Sequence, residues 1–255
     1  LRLAAGLLRP DSGQVLVAGK PAGSREALAN LGFIPEEPSF PLGKTLEAFL
    51  TEQILAAGLN LQEGWAQAQA LLETLDLGWA RRKRLTQFSR GMKQKAALVA
   101  ALLGSPALLL ADEPTSGMDP QAAITVRHLL LELKRKGGAA LVSSHRLDEM
   151  VKVCDRALFL KGGRIVHQWT PESSETVCWQ VAFAPPLPEA VLAALSGYPG
   201  VASVQLHDGC LSVSLRRGHE PAELIALLLQ QGVNVRGLWP EQRSLESLFL
   251  EVMGA

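Results

Sequence analysis

Two adjacent carboxylates, Asp112 and Glu113, follow the apolar run ALLLA at 107–111, and a histidine, His145, follows a second run, AALVSS at 139–144. In such a pair one carboxylate can hold a hard divalent cation through oxygen while its neighbour polarises an attacking water. An imidazole at the same rim can hydrogen-bond a phosphate oxygen and orient that water. Upstream, Ser89, Arg90, Gly91 and Met92 open a segment that continues KQKAALVAALL until Gly104, Ser105 and Pro106 stop it. The opening of a helix suits an anion, because its first N–H groups have no partner within the helix and its dipole adds partial positive charge. Gly91 lets backbone come close to a ligand, and Arg90 adds a cation. Together these residues point to hydrolysis of a nucleoside triphosphate. Each also has a plainer reading: the acid pair ends a strand at Pro114, and a lone histidine at a strand end is usually a satisfied surface residue.

The elements that must position these groups can be read from the pattern. A strand apolar on both faces is the mark of a central parallel strand, and in open α/β sheets ligands collect at the C-terminal strand ends, where Asp112, Glu113 and His145 all fall. Residues 31–34 (LGFI) make another strand, followed by Pro35, Glu36, Glu37 and Pro38. Asp119 with Pro120 opens a helix as N-cap acid and first-turn proline, running to Gly137. A helical insert is expected over about 45–87, as helices at 46–56 and 65–77, and it ends on the cationic run Arg81, Arg82, Lys83, Arg84, whose plainest role is a solvated face. Residues 1–8 read as the tail of an apolar helix, residues 14–18 as a strand, and 156–160 with 164–167 as a hairpin across Gly162 and Gly163. Gly43, Lys44 and Thr45 carry the last letters of GxxxxGK[ST], but Pro38 stands where the first glycine belongs and Pro41 stiffens the loop, so this stretch does not read as a phosphate cradle.

Ser89-Arg90-Gly91-Met92-Lys93-Gln94 resembles the signature motif of the ATP-binding-cassette (ABC) ATPases. LLLADEPTSGMDP resembles their Walker B segment and D-loop, and Ser143-Ser144-His145 their switch-histidine strand. The resemblance runs from residue 1 to about 169. It implies an α/β P-loop-type ATPase domain that binds ATP and Mg²⁺, with Asp112 on the metal, Glu113 as base and His145 as switch. Glu36 then stands where most of the family has the Q-loop glutamine, and Arg90 and Met92 stand where the commoner signature has glycine and glutamine. Ser89, Arg90, Gly91 and Met92 would reach a nucleotide held by the opposite subunit, with Asp119 crossing the same interface. The resemblance further implies a head-to-tail pair, a homodimer by expectation, and a separate transmembrane permease subunit. It narrows to exporter ATP-binding subunits, which carry Glu in the Q-loop, a basic signature and a C-terminal extension. The helix at residues 1–8 matches the one after the Walker A loop, so that loop is expected before residue 1.

Composition excludes several other classes. With 25 basic and 25 acidic residues in 255, the chain has no global electrostatic case for nucleic acid. Cys154, Cys178 and Cys210 are odd in number and lack CxxC spacing, which suits reduced thiols in a cytosolic compartment. No apolar run reaches the roughly 18–20 residues of a spanning helix. With the permease that the resemblance implies, the expected location is cytoplasmic, peripheral at the inner face of the membrane. A DNA-repair or translation member of the family would show long coiled-coil arms or a tandem second cassette, and neither occurs in this sequence. The polar stretch at 171–175 divides a domain at 1–170 from one at 176–255, where strands at 177–183, 201–207, 210–216 and 233–238 and helices at 188–195 and 221–230 alternate as βαββαβ. That order predicts a small α+β ferredoxin-like domain, with Trp239 and Phe249 in its core and a last helix capped by Ser244. The chain could also be a regulatory ABC module that dimerises without turnover.

Overall fold

The structure is a computed structural model and describes residues 1–146, 150, 152–170, 176–188, 190–207, 209–216 and 218–241. The chain divides into two compact units, residues 1–146 and 147–255.

The first unit is built on three parallel strands, β3 (Leu31–Ile34), β4 (Leu108–Asp112) and β5 (Ala139–Ser143), with β4 in the middle. Leu109, Leu110 and Ala111 are buried: β4 has a neighbour on each edge, and Leu109 and Ala111 share one core with the helix residues Leu98 and Val126. Before β3 come a two-residue hairpin, β1 (Leu16–Val17) with β2 (Lys20–Pro21), and the short helix α1 (Arg25–Leu28). The strand expected at 14–18 is thus shorter than its apolar pattern suggests, and residues 1–8 form turns rather than a regular helix.

Helix α4 (Arg90–Leu102) lies close against β3. A Cβ on Gly32 would sit 2.1 Å from the Ala101 carbonyl oxygen, so only glycine permits this approach. The insert holds α2 (Leu46–Ala56) and α3 (Leu61–Thr74), joined through Leu50, Ile54, Ala68 and Leu72. Helix α3 begins four residues before the expected 65, because Asn60 caps it by accepting from the Glu63 N–H, and its apolar stripe gave no hint of that polar first turn. Thr45 caps α2 and Lys44 pairs with Glu52, so Gly43-Lys44-Thr45 is a helix entrance. In the cationic run, Arg81 pairs with Glu47 at 2.6 Å and stacks on Trp65, and Lys83 stands over Trp79.

Strand β5 departs from expectation. Its composition reads as buried, yet Ala139, Ala140 and Leu141 are exposed. It pairs with β4 on one edge only, and among the described residues no strand lies on the other, so its side chains lack the neighbours that bury those of β4. Helix α5 (Pro120–Arg135) connects β4 to β5 and buries Ala122, Val126, Leu129 and Leu133.

The second unit contains the hairpin β6 (Ala157–Lys161) with β7 (Arg164–Trp169), turning at Gly162 and Gly163 as their positive φ angles allow. It also contains an antiparallel sheet in the order β11-β8-β10-β9, made of β8 (Thr176–Ala184), β9 (Val201–His207), β10 (Cys210–Arg216) and β11 (Asn234–Glu241). Helices α6 (Ala190–Gly197) and α7 (Pro221–Gln230) supply Val191, Leu195, Leu224 and Leu228 to a core with Val181, Leu211, Val213 and Leu215. The chain order is βαββαβ, as the alternation predicts. Trp239, expected in the core, is 46% exposed, since its neighbour Leu238 takes the core face beside Val181 and the alternation of the strand puts Trp239 on the opposite face beside Gln180. The segment at 171–175, Phe249 and the helix after Ser244 lie outside the described residues. Among the described residues no helix is long and apolar enough to cross a membrane.

Candidate nucleotide site

The parallel register sets Asp112 directly beside Ser143, so the C-terminal ends of β4 and β5 bring the acid pair and His145 to one rim. Glu113 follows β4 with φ of +47°, in the left-handed region that costs a non-glycine residue about 1–2 kcal/mol. This turn swings its carboxyl toward β5. There Glu113 Oε1 accepts from the His145 backbone N–H at 2.8 Å and lies 2.9 Å from His145 Nδ1. With Nδ1–H directed at Glu113, the ring's Nε2 is left for another partner, and the imidazole side chain is 75% exposed. The other carboxylate oxygen, Oε2, is buried with no hydrogen-bond partner among the described residues, which leaves one unused acceptor on this side chain.

Asp112 is held by Ser143, whose hydroxyl donates to Oδ1. One carboxylate oxygen is thereby fixed and the second is left for a cation. Among the described residues no cluster of three or more His, Cys, Asp or Glu could enclose a metal. Mg²⁺ does not need one: it is commonly held by one or two carboxylates together with phosphate oxygens and water, and Asp112 fits that donor set.

On α4, Ser89 is the N-cap and accepts from the Met92 N–H at 3.2 Å. Ser89 and Arg90 are exposed and Gly91 is half-buried, so the helix opening faces solvent. Met92 offers little beyond that capped N–H, because its side chain packs on the core. A Cβ on Gly91 would meet the Gly117 carbonyl oxygen at 2.7 Å, and the Arg90 side chain lies over Gly117, so the opening of α4 and the turn after Glu113 are packed together. Arg90 stands 4.0 Å from Glu36, which is otherwise exposed at the end of β3.

Asp119 accepts from the Ala122 N–H at 2.9 Å as N-cap of α5. That hydrogen bond, with Lys95 nearby, holds its carboxyl below the usual carboxylate range. A depressed folded-state pKa means the carboxylate contributes stability above its unfolded pKa and loses it as pH falls through the folded one. Asn caps equally well without titrating. Acidification should therefore lower the melting midpoint of Asp119→Asn less than that of the parent, and equal loss in both would remove Asp119 from this role.

The structure thus brings Asp112, Glu113 and His145 together, places Ser89, Arg90 and Gly91 at an exposed helix start, and sets Asp119 on its own helix. Two residues quoted within the motifs take no role of their own from them. Ser143 matters only because the register puts it opposite Asp112. Gln94 is fully buried, and its Nε2 lies 3.4 Å from both the Pro35 and Glu113 carbonyl oxygens. A signal for it existed, since Gln94 shares the α4 stripe of Ala97, Leu98 and Ala101, where a polar side chain is out of place.

Comparison with known proteins agrees with this geometry. The profile of the ABC transporter family matches residues 1–116. The ABC transporter ATP-binding protein YxlF of Bacillus subtilis is 31% identical over 258 aligned positions, covering 100% of this chain and 85% of that protein. The Nod factor export ATP-binding protein I of Rhizobium etli is 31% identical over 67% of this chain and 54% of its own. This chain spans about half the length of several curated relatives that it matches. A solved ATP-binding subunit of an ABC transporter superposes with a TM-score of 0.64 at 31% identity, covering 67% of this chain and 72% of that one. The order of motifs, the rim they share and these likenesses agree: the chain belongs to the ABC transporter ATP-binding proteins, a family of ATP-binding domains.

Proposed function

We propose that this chain is the ATP-hydrolysing part of an ABC-type exporter, working as a dimer at the inner membrane face beside a separate permease subunit. The observation that carries the hydrolytic reading is Glu113, held at Oε1 by His145, with Oε2 buried and unpaired among the described residues and with Asp112 the residue before it in the chain. A bound Mg²⁺, held by Asp112 and the triphosphate, would neutralise phosphate charge. Glu113 Oε2 takes the proton of the water that attacks the γ-phosphorus as the bond to the β–γ bridging oxygen breaks and ADP leaves, and His145 in its doubly protonated form keeps Nδ1–H on Glu113 and donates Nε2–H to a γ-phosphate oxygen. The exposed opening of α4, at Ser89, Arg90 and Gly91, meets the triphosphate of the second copy, and Glu36 adds an oxygen at the end of β3.

Export is supported by Glu36 at the Q-loop position, the basic signature and the C-terminal βαββαβ unit. The permease is supported by a cleft of about 480 Å³ beside the Q-loop, where apolar Phe40, Leu42 and Leu85 adjoin cationic Arg90 and Lys93. Leu42 is 88% exposed, which suits a seat for an amphipathic segment of a partner.

The runner-up is a module of the same family that dimerises without turnover. The Walker A loop that the resemblance places before residue 1 would supply most of the N–H groups and the lysine that hold β- and γ-phosphates. Turnover and nucleotide affinity measured on the intact gene product and on residues 1–255 decide between the two. The exporter reading expects Mg²⁺-dependent hydrolysis by the intact product and little by residues 1–255 alone. An intact product that binds ATP without turning it over would favour the runner-up.

A further inference from the structure

Gln94 is wholly buried in α4, and its amide donates toward two carbonyls that belong to different parts of the rim. One is Pro35 O, at the end of β3 and immediately before Glu36; the other is Glu113 O. Both contacts are 3.4 Å, and because both partners are acceptors, only Nε2 can face them, which settles the orientation of the amide. The Oε1 of Gln94 is buried with no hydrogen-bond partner among the described residues. A buried amide oxygen without a partner is costly, and methionine or leucine would fill the same space without that cost. Packing therefore does not account for a glutamine here, whereas its two N–H groups do.

Glu113 is otherwise held through its own peptide groups. Its N–H donates to Ser143 O at 3.1 Å, and its carbonyl accepts from the Ser116 N–H at 3.0 Å. These bonds keep it in the left-handed conformation that aims its carboxyl at His145. Beside the β3–β4 ladder, which pairs Ile34 with Ala111, and the Arg90 side chain between Gly117 and Glu36, the amide of Gln94 is a buried link that ties this turn to the end of β3. Resting on the hydrolytic reading of Glu113, we infer that Gln94 is a positioning residue: it fixes the Glu113 turn relative to the Glu36 segment, so that the base and the Q-loop acid move as one. It touches neither nucleotide nor metal, and it acts through the Glu113 backbone.

The test uses the intact protein with Gln94→Met, which removes both N–H groups, and Gln94→Glu, which keeps every heavy-atom position but replaces the NH₂ donor with an oxygen. Amide hydrogen exchange is compared between residues 113–118 and the centre of α5, and ATP turnover is measured across ATP concentrations. The expected result is exchange accelerated about tenfold or more at 113–118 with α5 unchanged, and kcat lowered about tenfold or more at a KM within about twofold, because misplacement of a reacting group by an ångström suffices for such a loss. Unchanged exchange at 113–118, or acceleration matched in α5, would overturn the inference and leave Gln94 a packing residue. The exchange measurement needs no nucleotide, so it decides the matter even for a parent protein that proves unable to hydrolyse ATP, the case in which the hydrolytic reading alone fails.

Discussion

Glu113→Gln in the intact protein should lower ATP turnover by about 10²–10⁴-fold, the range for removing a positioned general base, while ATP affinity stays near that of the parent. Gln matches Glu in shape, so its Oε1 can still accept from the His145 N–H, which the carboxylate does at 2.8 Å. What is lost is the buried Oε2 acceptor, the free basic atom at the rim. Affinity is spared because triphosphate binding rests on backbone N–H groups, cations and the metal rather than on this carboxylate. Turnover within a few-fold of the parent would take Glu113 out of the reaction. Weakened binding in parallel with turnover would instead point to a role in holding nucleotide.

Gly32→Ala should be the most damaging small substitution in the first unit. The added Cβ would lie 2.1 Å from the carbonyl oxygen of Ala101, a backbone atom that no rotamer change can move. Either β3 or α4 must shift, and overpacking of that kind costs about 3 kcal/mol, which is roughly 6–12 °C in melting midpoint for a domain of this size. The shift would also move the Glu36 segment against the helix that carries Ser89 and Gln94, so activity should fall further than stability. Gly78→Ala is the control, because nothing lies within 4 Å of where its methyl group would stand and its φ is ordinary; it should change stability by less than about 0.5 kcal/mol. A Gly32→Ala protein that melts with the Gly78→Ala control would show that β3 and α4 are not so closely packed.

Much of the architecture was legible because local signals agreed. The helices expected at 46–56 and 221–230 form as Leu46–Ala56 and Pro221–Gln230, where Thr45 caps the first and Pro221 stands in the first turn of the second. The βαββαβ alternation in the second unit followed from period-two strands broken by glycines and period-3.6 helices. The misreadings share one cause. For β5, the sequence shows what a strand would bury but not whether a neighbour is present to bury it, and Leu141 is 45% exposed. For Trp239, an aromatic side chain suggests a core, and only the register, which sets Leu238 beside Val181 on the core face, turns it out. The polar first turn of α3 is invisible to an apolar pattern and is set by the Asn60 cap.

By itself, the sequence determined the kinds of groups present and their order along the chain: an acid pair after a buried strand, a glycine-opened helix before it and a histidine after the next strand. Those are properties of residue type and short spacing, which local physics suffices to read. Tertiary structure alone decided which groups meet. The parallel register places Ser143 on Asp112, the left-handed turn carries Glu113 to His145, and the depth of α4 brings Gln94 to two carbonyls far from it along the chain. Such contacts depend on how close strand and helix can come, here through Gly32, and that distance is a property of the packed core that no stretch of the chain carries alone.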